Sequence, residues 1–274
     1  MKYAVLIAAV ALFSLVICAL PWLGTFRRLR AANYRGRELP KTLGFGLVVP
    51  AVVLMLRLGE GLAGGEYLLA GLAVVFATGL IDDVAAGEPR GLRGHLREIV
   101  RLRPTTGLLK VAGGLAGGLL VTLSIPGRSP AAMALGLVTV VGSTNVWNGL
   151  DVAPGRAGKA FLVAAAVLLL AASRDASWLL LLLVFAAELP ALWLDIREHD
   201  MLGDAGSTVL GFAIGAGMYG ALSDVWLGVS AVLAVALNLV AETVTFSRMI
   251  NAVPPLRWFD RLGSLPERRN FPAK

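Results

Sequence analysis

The sequence has very few of the residues that build disulfide-bonded folds or zinc sites. Its 274 residues include one cysteine, Cys18, and two histidines, His95 and His199. A single cysteine excludes an internal disulfide framework and a thiolate metal site. Two histidines without cysteine partners are a weak zinc ligand set, and solvated or supporting roles are more frequent for such residues.

Charged residues are also scarce. Asp, Glu, Lys and Arg make up 16% of the chain, whereas 57% of it is hydrophobic. One soluble core of this length cannot bury so much apolar surface, so we expect a lipid bilayer to be the main solvent. Apolar runs of about 17 to 25 residues suit membrane-spanning helices, whereas a barrel would show alternating segments of about ten residues. The predicted fold class is all-α, a polytopic transmembrane helical bundle that forms a single domain over residues 1–274.

About nine spans are predicted from these apolar runs. They are Tyr3–Leu23, Thr42–Leu58, Tyr67–Ile81, Thr105–Ile125, Pro130–Trp147, Ala157–Ser173, Ser177–Leu194, Thr208–Leu222 and Val225–Ile250. The polar segments between them are too short to fold as a separate soluble domain.

Basic residues are concentrated on one side of these spans. Of the 25 Lys and Arg residues, 20 fall in the segments that would share one face. Short loops rich in Lys and Arg stay in the cytoplasm, which predicts an external N-terminus and a cytoplasmic C-terminus. The first run could instead be a signal peptide, but the basic segment 27–30 after it is typical of a stop-transfer anchor. The net charge of +7 lies beside apolar spans, which favours membrane lipids and phosphorylated substrates as partners rather than nucleic acid.

Three ionisable residues lie within the predicted spans: Lys110, Glu188 and Glu242. Buried membrane charges are functional candidates that face the protein interior. Lys110 and Glu188 could pair with each other or contact substrate. Glu242 could have only a structural role.

The first polar motif is the pair Asp82-Asp83 at the end of the third span. Neighbouring helix residues point about 100° apart, and two adjacent carboxylates repel unless a cation offsets them. Standing alone, such a pair is more often a solvated helix end, and a catalytic or metal-binding role is the alternative. Five arginines follow, at positions 90, 93, 97, 101 and 103. Arg93 and Arg97 are predicted to bind a polyanionic substrate, while the group also fixes the topology.

The second motif consists of Asn145, Asn148 and Asp151. Their spacing of three places them in one polar stripe at the end of the fifth span if the helix continues past Gly149. Amide and carboxylate groups in one stripe suit hydrogen bonding to a sugar, a base edge or a phosphate. The alternative is a run of helix-ending polar residues before Pro154-Gly155.

The third motif, Gly203-Asp204-Ala205-Gly206-Ser207, leads into the eighth span. Glycines permit close backbone approach, and the N–H groups of a helix start attract anions. Asp204 is therefore a candidate cation ligand, and Gly206 and Ser207 are candidate phosphate-binding residues. The alternative is an ordinary helix cap.

The charge-derived topology uses none of these motifs, yet it places all three at cytoplasmic helix ends. Mg²⁺ takes one or two carboxylates plus substrate phosphate oxygens. We therefore predict one magnesium–phosphate site at these helix ends, with Mn²⁺ as an alternative ion and Asp82, Asp83 and Asp204 as candidate ligands.

With these motifs, the sequence resembles the polyprenyl-phosphate N-acetylhexosamine-1-phosphate transferase superfamily. That group includes phospho-MurNAc-pentapeptide translocase and the GlcNAc-1-phosphate transferases that begin cell-envelope glycans. Its Asp-Asp pair, its Asn-x-x-Asn-x-x-Asp block and its Gly-Asp-x-Gly-Ser segment are matched by Asp82-Asp83, residues 145–151 and residues 203–207.

The resemblance implies Mg²⁺-dependent transfer of a sugar 1-phosphate from a UDP-sugar to a polyprenyl phosphate at the cytoplasmic face of the cell membrane, with release of UMP. Asp204 would be the chief metal ligand. Asp82 and Asp83 would organise the metal and the lipid phosphate. Asp151 with Asn148 would hold the nucleotide-sugar.

The sequence also departs from the family pattern. Asp151 is followed by residues 152–155, Val-Ala-Pro-Gly, instead of a second Asp-Gly pair, and Arg248–Leu262 contains no histidine. These departures motivate a second hypothesis, a non-catalytic relative that binds lipid phosphate or an envelope-assembly partner. A secondary transporter would need inverted repeats and a midplane site, neither of which the sequence indicates.

Overall fold

The computed structural model describes residues 2–20, 27–85, 106–171 and 173–266. These residues are nearly all helical. The α-helices are α1 Lys2–Cys18, α2 Leu43–Leu58, α3 Gly65–Val84, α4 Thr106–Leu123, α5 Pro130–Leu150, α6 Arg156–Ala171, α7 Ala176–Ile196, α8 Gly203–Ala221, α9 Asp224–Thr243, α10 Phe246–Ala252 and α11 Pro254–Arg261. Eight of the nine predicted apolar runs correspond to one helix each, and the ninth covers parts of two.

Five of the described helices, α3, α4, α5, α7 and α9, are long and apolar enough to cross a membrane. The helices α1 and α2 are apolar but shorter. The protein is therefore a helical membrane protein, whereas nine spans and the sides of the two termini remain predictions.

A small β-hairpin before α2 departs from the all-α prediction. Strand β1 (Arg30–Ala32) pairs antiparallel with β2 (Glu38–Pro40), in the register that sets Ala31 opposite Leu39. The Asn33 side chain accepts the backbone N–H groups of Arg35 and Arg37 at 2.9 and 3.0 Å, which closes the turn. Strands of three residues are too short to show an alternating pattern, so the sequence carries no strand signal here.

Three helix ends differ from the predicted bounds in ways that matter for the site. Helix α3 extends past Ile81 to Val84, and α8 begins at Gly203 instead of Thr208, so both acidic motifs lie inside helical turns. The last predicted run is divided, because α9 ends at Thr243 and α10 begins at Phe246. Thr245 caps α10, since its side chain accepts the N–H of Arg248 at 3.4 Å.

Helix α8 lies at the centre of the bundle and contacts α2 to α7 and also α9. Its glycines permit backbone contact with α5: a Cβ on Gly211 would lie 2.5 Å from Thr144 Cα, and one on Gly215 would lie 2.7 Å from Val140 Cα. This close packing brings the end of α5 beside the start of α8. On the outside, apolar side chains such as Leu170 and Val232 are exposed, as expected for surfaces that face lipid.

Candidate active site

The centre of the site is a basic side chain between two carboxylates from different helices. Lys110 Nζ, on α4, lies 3.0 Å from Asp82 Oδ2, on α3, and 3.1 Å from Asp204 Oδ1, on α8. Both carboxyl groups therefore share one ammonium group. The first and third motifs therefore meet in space. Lys110 pairs with Asp82 and Asp204, so its predicted pairing with Glu188 is wrong.

Asn148 joins the second motif to this centre. Its amide is oriented by its neighbours: Nδ2 donates to Ser207 Oγ at 3.0 Å and to Asp204 Oδ1 at 2.5 Å, and Oδ1 accepts from Lys110 Nζ at 3.0 Å. Asn148 lies in the last turn of α5, where Gly211 and Gly215 allow α5 to approach α8. Three side-chain oxygens, from Asp82, Asp204 and Asn148, thus surround one ammonium group.

Asp83 has a different environment from its neighbour Asp82. Its Oδ1 accepts the backbone N–H of Asp204 at 3.0 Å, and its Oδ2 accepts that of Ala205 at 2.9 Å. Gly203 permits this approach, since it has a φ of +69° and a Cβ there would lie 2.8 Å from Asp83 Oδ2. The first N–H groups of α8 therefore donate to Asp83. From the sequence alone, these groups are predicted to bind a phosphate.

Lys41 is a residue that the sequence reasoning missed. Its Nζ lies 2.9 Å from Asp83 Oδ1 and donates to the Asp83 carbonyl oxygen at 2.7 Å. Lys41 stands between β2 and α2, a position fixed by Asp200, which accepts the Thr42 N–H at 2.9 Å and also the Thr42 hydroxyl. Burial raises the pKa of Asp200, and the hydrogen bonds from Thr42 oppose that change. In the sequence Lys41 is one of many basic residues near a span, and nothing singles it out.

A cavity of about 420 Å³ opens beside Asp204. Its described lining comes mainly from the hairpin, the turn after α5 and the segment before α8. The lining residues are Ala31, Ala32, Asn33, Tyr34, Leu39, Lys41, Asp83, Asp151, Val152, Ala153, Pro154, Asp195, Glu198, Asp200, Met201, Gly203 and Asp204. Lys41 is the one basic residue in that lining, against six acids. A phosphorylated ligand here would therefore need Lys41 and further positive charge.

Asp151 lines this cavity at the C-cap of α5, one turn beyond Asn148. Burial raises the pKa of Asp151 well above its usual value, and the carboxylates of Asp195 and Asp204 add to the effect. Asp195 in turn accepts the N–H of Gly155 at 2.7 Å, which fixes the turn that carries Asp151.

Glu198 attaches the hairpin to the rest of the site. Its carboxylate accepts from Asn33 Nδ2 at 3.0 Å and from the Tyr34 hydroxyl at 2.7 Å, and it pairs with Arg35 at 3.4 Å. Glu198 is buried and has a left-handed φ of 56°. These contacts hold the hairpin over the cavity.

Asn145, the first residue of the second motif, does not join the acidic centre. It hydrogen-bonds Asn238 of α9, whose Nδ2 donates to the carbonyls of Gly142 and Ala234 at 3.1 and 2.7 Å. Both asparagines line a second cavity of about 270 Å³ that also borders Asn148 and the exposed Glu242. The predicted polar stripe is therefore divided: Asn145 and Asn148 border the second cavity, and Asp151 lines the first.

The remaining predicted residues are distributed as follows. Ser207 accepts from Asn148, whereas Gly206 packs on the backbone of Gly44 in α2. Arg93 and Arg97 lie outside the described residues. Glu188 is buried against Gly158, and its Oε2 has no hydrogen-bond partner among the described residues.

The donor set at Lys110 fits a magnesium ion that is shared with substrate. No group of three or more His, Cys, Asp or Glu residues within 2–20, 27–85, 106–171 and 173–266 is arranged to hold a metal alone. Two carboxylates and one amide oxygen are nevertheless what Mg²⁺ takes from a protein when phosphates and water complete its shell. Asp82, Asp204 and Asn148 satisfy this requirement.

Comparison with known proteins identifies the family. The comparison with curated proteins gives no match. The family model described as glycosyl transferase family 4 matches residues 66–222, more than half of the chain, and this range includes all three motifs and Lys110. Sugar-phosphate transfer to a polyprenyl phosphate is the activity that this family indicates. The chain therefore belongs to glycosyl transferase family 4.

Proposed function

We propose that the protein transfers a sugar 1-phosphate from a UDP-sugar to a polyprenyl phosphate at the cytoplasmic face of the cell membrane, releasing UMP, with Mg²⁺ as cofactor. The observation that carries this proposal is the meeting of Asp82, Lys110, Asn148 and Asp204 at neighbouring helix ends. A cluster of this kind beside lipid is costly unless it binds a charged ligand.

Asp82, Asp204 and Asn148 are the residues that would hold the ion. When bound, Mg²⁺ supplies positive charge that offsets the diphosphate and the leaving UMP. Asp83, which the sequence argument places among the metal ligands, is assigned instead to positioning: Lys41 and two backbone N–H groups already engage both of its oxygens. It holds the first turn of α8, and therefore Asp204, against α3.

The acceptor phosphate attacks the phosphorus that carries the sugar. A new P–O bond forms to the lipid phosphate, and the bond to the UMP phosphate breaks. A phosphate monoester loses its second proton near pH 6, so the acceptor is largely dianionic in the cytoplasm and needs no base. Lys110 lies where it can offset charge on the phosphates. The enzyme then catalyses the reaction by positioning the two substrates and by neutralising the charge of their phosphates.

The nucleotide-sugar is assigned to the 420 Å³ cavity beside Asp204. Asp151, Lys41 and the hairpin line it and supply the polar groups that orient a donor. The polyprenyl chain is assigned to the apolar outer surface of the bundle, because only that surface is in contact with lipid.

The experiment is a donor-by-acceptor assay with purified protein. UMP release is measured for a panel of UDP-sugars, with and without polyprenyl phosphate, and with and without Mg²⁺. We expect release only when all three components are present. Saturable binding of polyprenyl phosphate without turnover for any donor would instead support the non-catalytic relative, which the altered segments 152–155 and 248–262 favour.

A further inference from the structure

The three oxygens assigned to the metal all face Lys110. Asp82 Oδ2, Asp204 Oδ1 and Asn148 Oδ1 lie 3.0, 3.1 and 3.0 Å from Lys110 Nζ. An ammonium group has three N–H donors, so these oxygens satisfy it completely. The lysine therefore makes the contacts that a divalent cation would need.

The two cations cannot use these oxygens together. A divalent ion bound to the same atoms would lie within a few ångströms of the ammonium, where like charges repel strongly in a partly buried site. The Lys110 side chain is only 18% exposed, so little water is present to screen that repulsion. Binding of the ion therefore requires Lys110 Nζ to leave.

The surroundings permit this movement. Lys110 is in the second turn of α4, and its flexible four-carbon stem can turn without any change in the helix. Asp82 and Asp204 are fixed independently of it, because Asp83 ties the end of α3 to the start of α8.

We propose that Lys110 is a competing internal cation: it neutralises Asp82 and Asp204 in the metal-free enzyme, and divalent metal binds only by displacing it. This inference rests on the proposed function, and it adds that Lys110 weakens metal binding even though it assists the reaction. Released from the carboxylates, the ammonium becomes available to substrate phosphates.

The first test is Mn²⁺ binding to the purified protein without substrates, measured by the electron paramagnetic resonance of free Mn²⁺. Lys110→Met removes the competitor and should bind Mn²⁺ at least about tenfold more tightly than wild type. Lys110→Arg keeps the charge and should bind no more tightly than wild type. Arg128→Met is the matched control, since it removes the same charge from a residue that lies beyond the other end of α4, where it pairs with Asp224. We expect its Mn²⁺ affinity to stay within about twofold of wild type, because Arg128 contacts none of the three oxygens.

A second test uses the unaltered protein and so does not depend on how a variant folds. Lysine acetylation by a soluble active ester is followed by mass spectrometry with and without saturating Mg²⁺. Labelling of Lys110 should rise several-fold when the metal binds, whereas buried Lys159 should not change.

The outcomes separate the two proposals. Wild-type protein that binds no Mn²⁺ would contradict the metal step of the proposed function. Protein that binds Mn²⁺, but in which Lys110→Met binds equally or less tightly, or Arg128→Met gains as much, would overturn only the competition. Unchanged labelling of Lys110 in the metal-loaded protein would also overturn the proposal that Lys110 competes with the metal.

Discussion

The carboxylate of Asp83 accepts the backbone N–H of Asp204 at 3.0 Å, so the last turn of α3 is joined to the first turn of α8. The adjacent Asp82 instead faces Lys110. Neighbouring helix residues point about 100° apart, which lets two consecutive acids perform different tasks. Asp83 organises the backbone at the helix junction, and Asp82 belongs to the charged centre.

This junction depends on Gly203. We expect Gly203→Ala to destabilise the protein by about 2 kcal/mol or more, because alanine is strained at positive φ and its Cβ would crowd Asp83 Oδ2. Gly36→Ala is the control: its φ is +77°, and nothing lies within 4 Å of the added Cβ. Unfolding in detergent measures both, and equal losses would show that the Asp83 contact has no effect.

Asp204→Asn should reduce turnover by at least about 10²-fold, because it removes a charge from the centre that would bind metal. The protein should still insert and fold, since the backbone N–H of Asp204, not its side chain, holds the helix start. UMP release and thermal unfolding are measured in parallel. Asp224→Asn, at the start of α9 and paired with Arg128, is the matched control. Full activity of Asp204→Asn would contradict the metal assignment.

The pair Arg156–Asp260 holds the C-terminal helices against α6. Arg156 Nε and Nη2 donate to Asp260 at 2.8 and 3.1 Å, and both residues are buried. We expect Arg156→Met to cost about 3 to 5 kcal/mol, because it removes the bidentate partner of a buried carboxylate. The double variant Arg156→Met with Asp260→Leu should cost less than Arg156→Met alone. Denaturant unfolding measures the free energy of unfolding of each variant. If the losses of the two single variants add up in the double variant, Arg156 and Asp260 are not energetically coupled.

The stability of the protein should depend on pH through Asp151. Burial raises the pKa of Asp151, and Asp195 adds to the effect, so the folded protein binds this proton more tightly than the unfolded chain. Its contribution to stability therefore falls as pH rises from about 4, the ordinary value for an aspartic acid, through the folded-state pKa. Asp151→Asn removes this dependence. Melting temperatures between about pH 5 and 8 should fall less steeply for the variant than for wild type, and parallel curves would refute the assignment.

Glu198 offers a test of the hairpin's role. Glu198→Ala removes the contacts to Asn33, Tyr34 and Arg35, so the hairpin should no longer hold its place over the larger cavity. We expect KM for the donor to rise by about tenfold with a smaller change in kcat, since the acidic centre is untouched. A fall in kcat at constant KM would show that the hairpin does not bind donor.

The sequence was sufficient to predict the helices and the meeting of the motifs, because apolar runs and charge asymmetry are properties of local composition. It could not distinguish residues that share a motif. Asn145 and Asn148 have the same residue type and lie three positions apart, yet α9 packs against one and α8 against the other. Which neighbour each side chain meets depends on helix register, and that is set by glycine contacts between distant segments. Lys41 was missed because its pairing with Asp83 likewise depends on how distant segments pack.

Helix α8 has no exposed residue between Gly203 and Ala221, and seven other helices contact it. The element that carries Asp204 is thus sheltered from the acyl chains. Changes in bilayer thickness or lateral pressure can reach it only by moving its neighbours first. A site built in this way should keep its chemistry across membranes of different composition, while the outer helices adjust to the lipid.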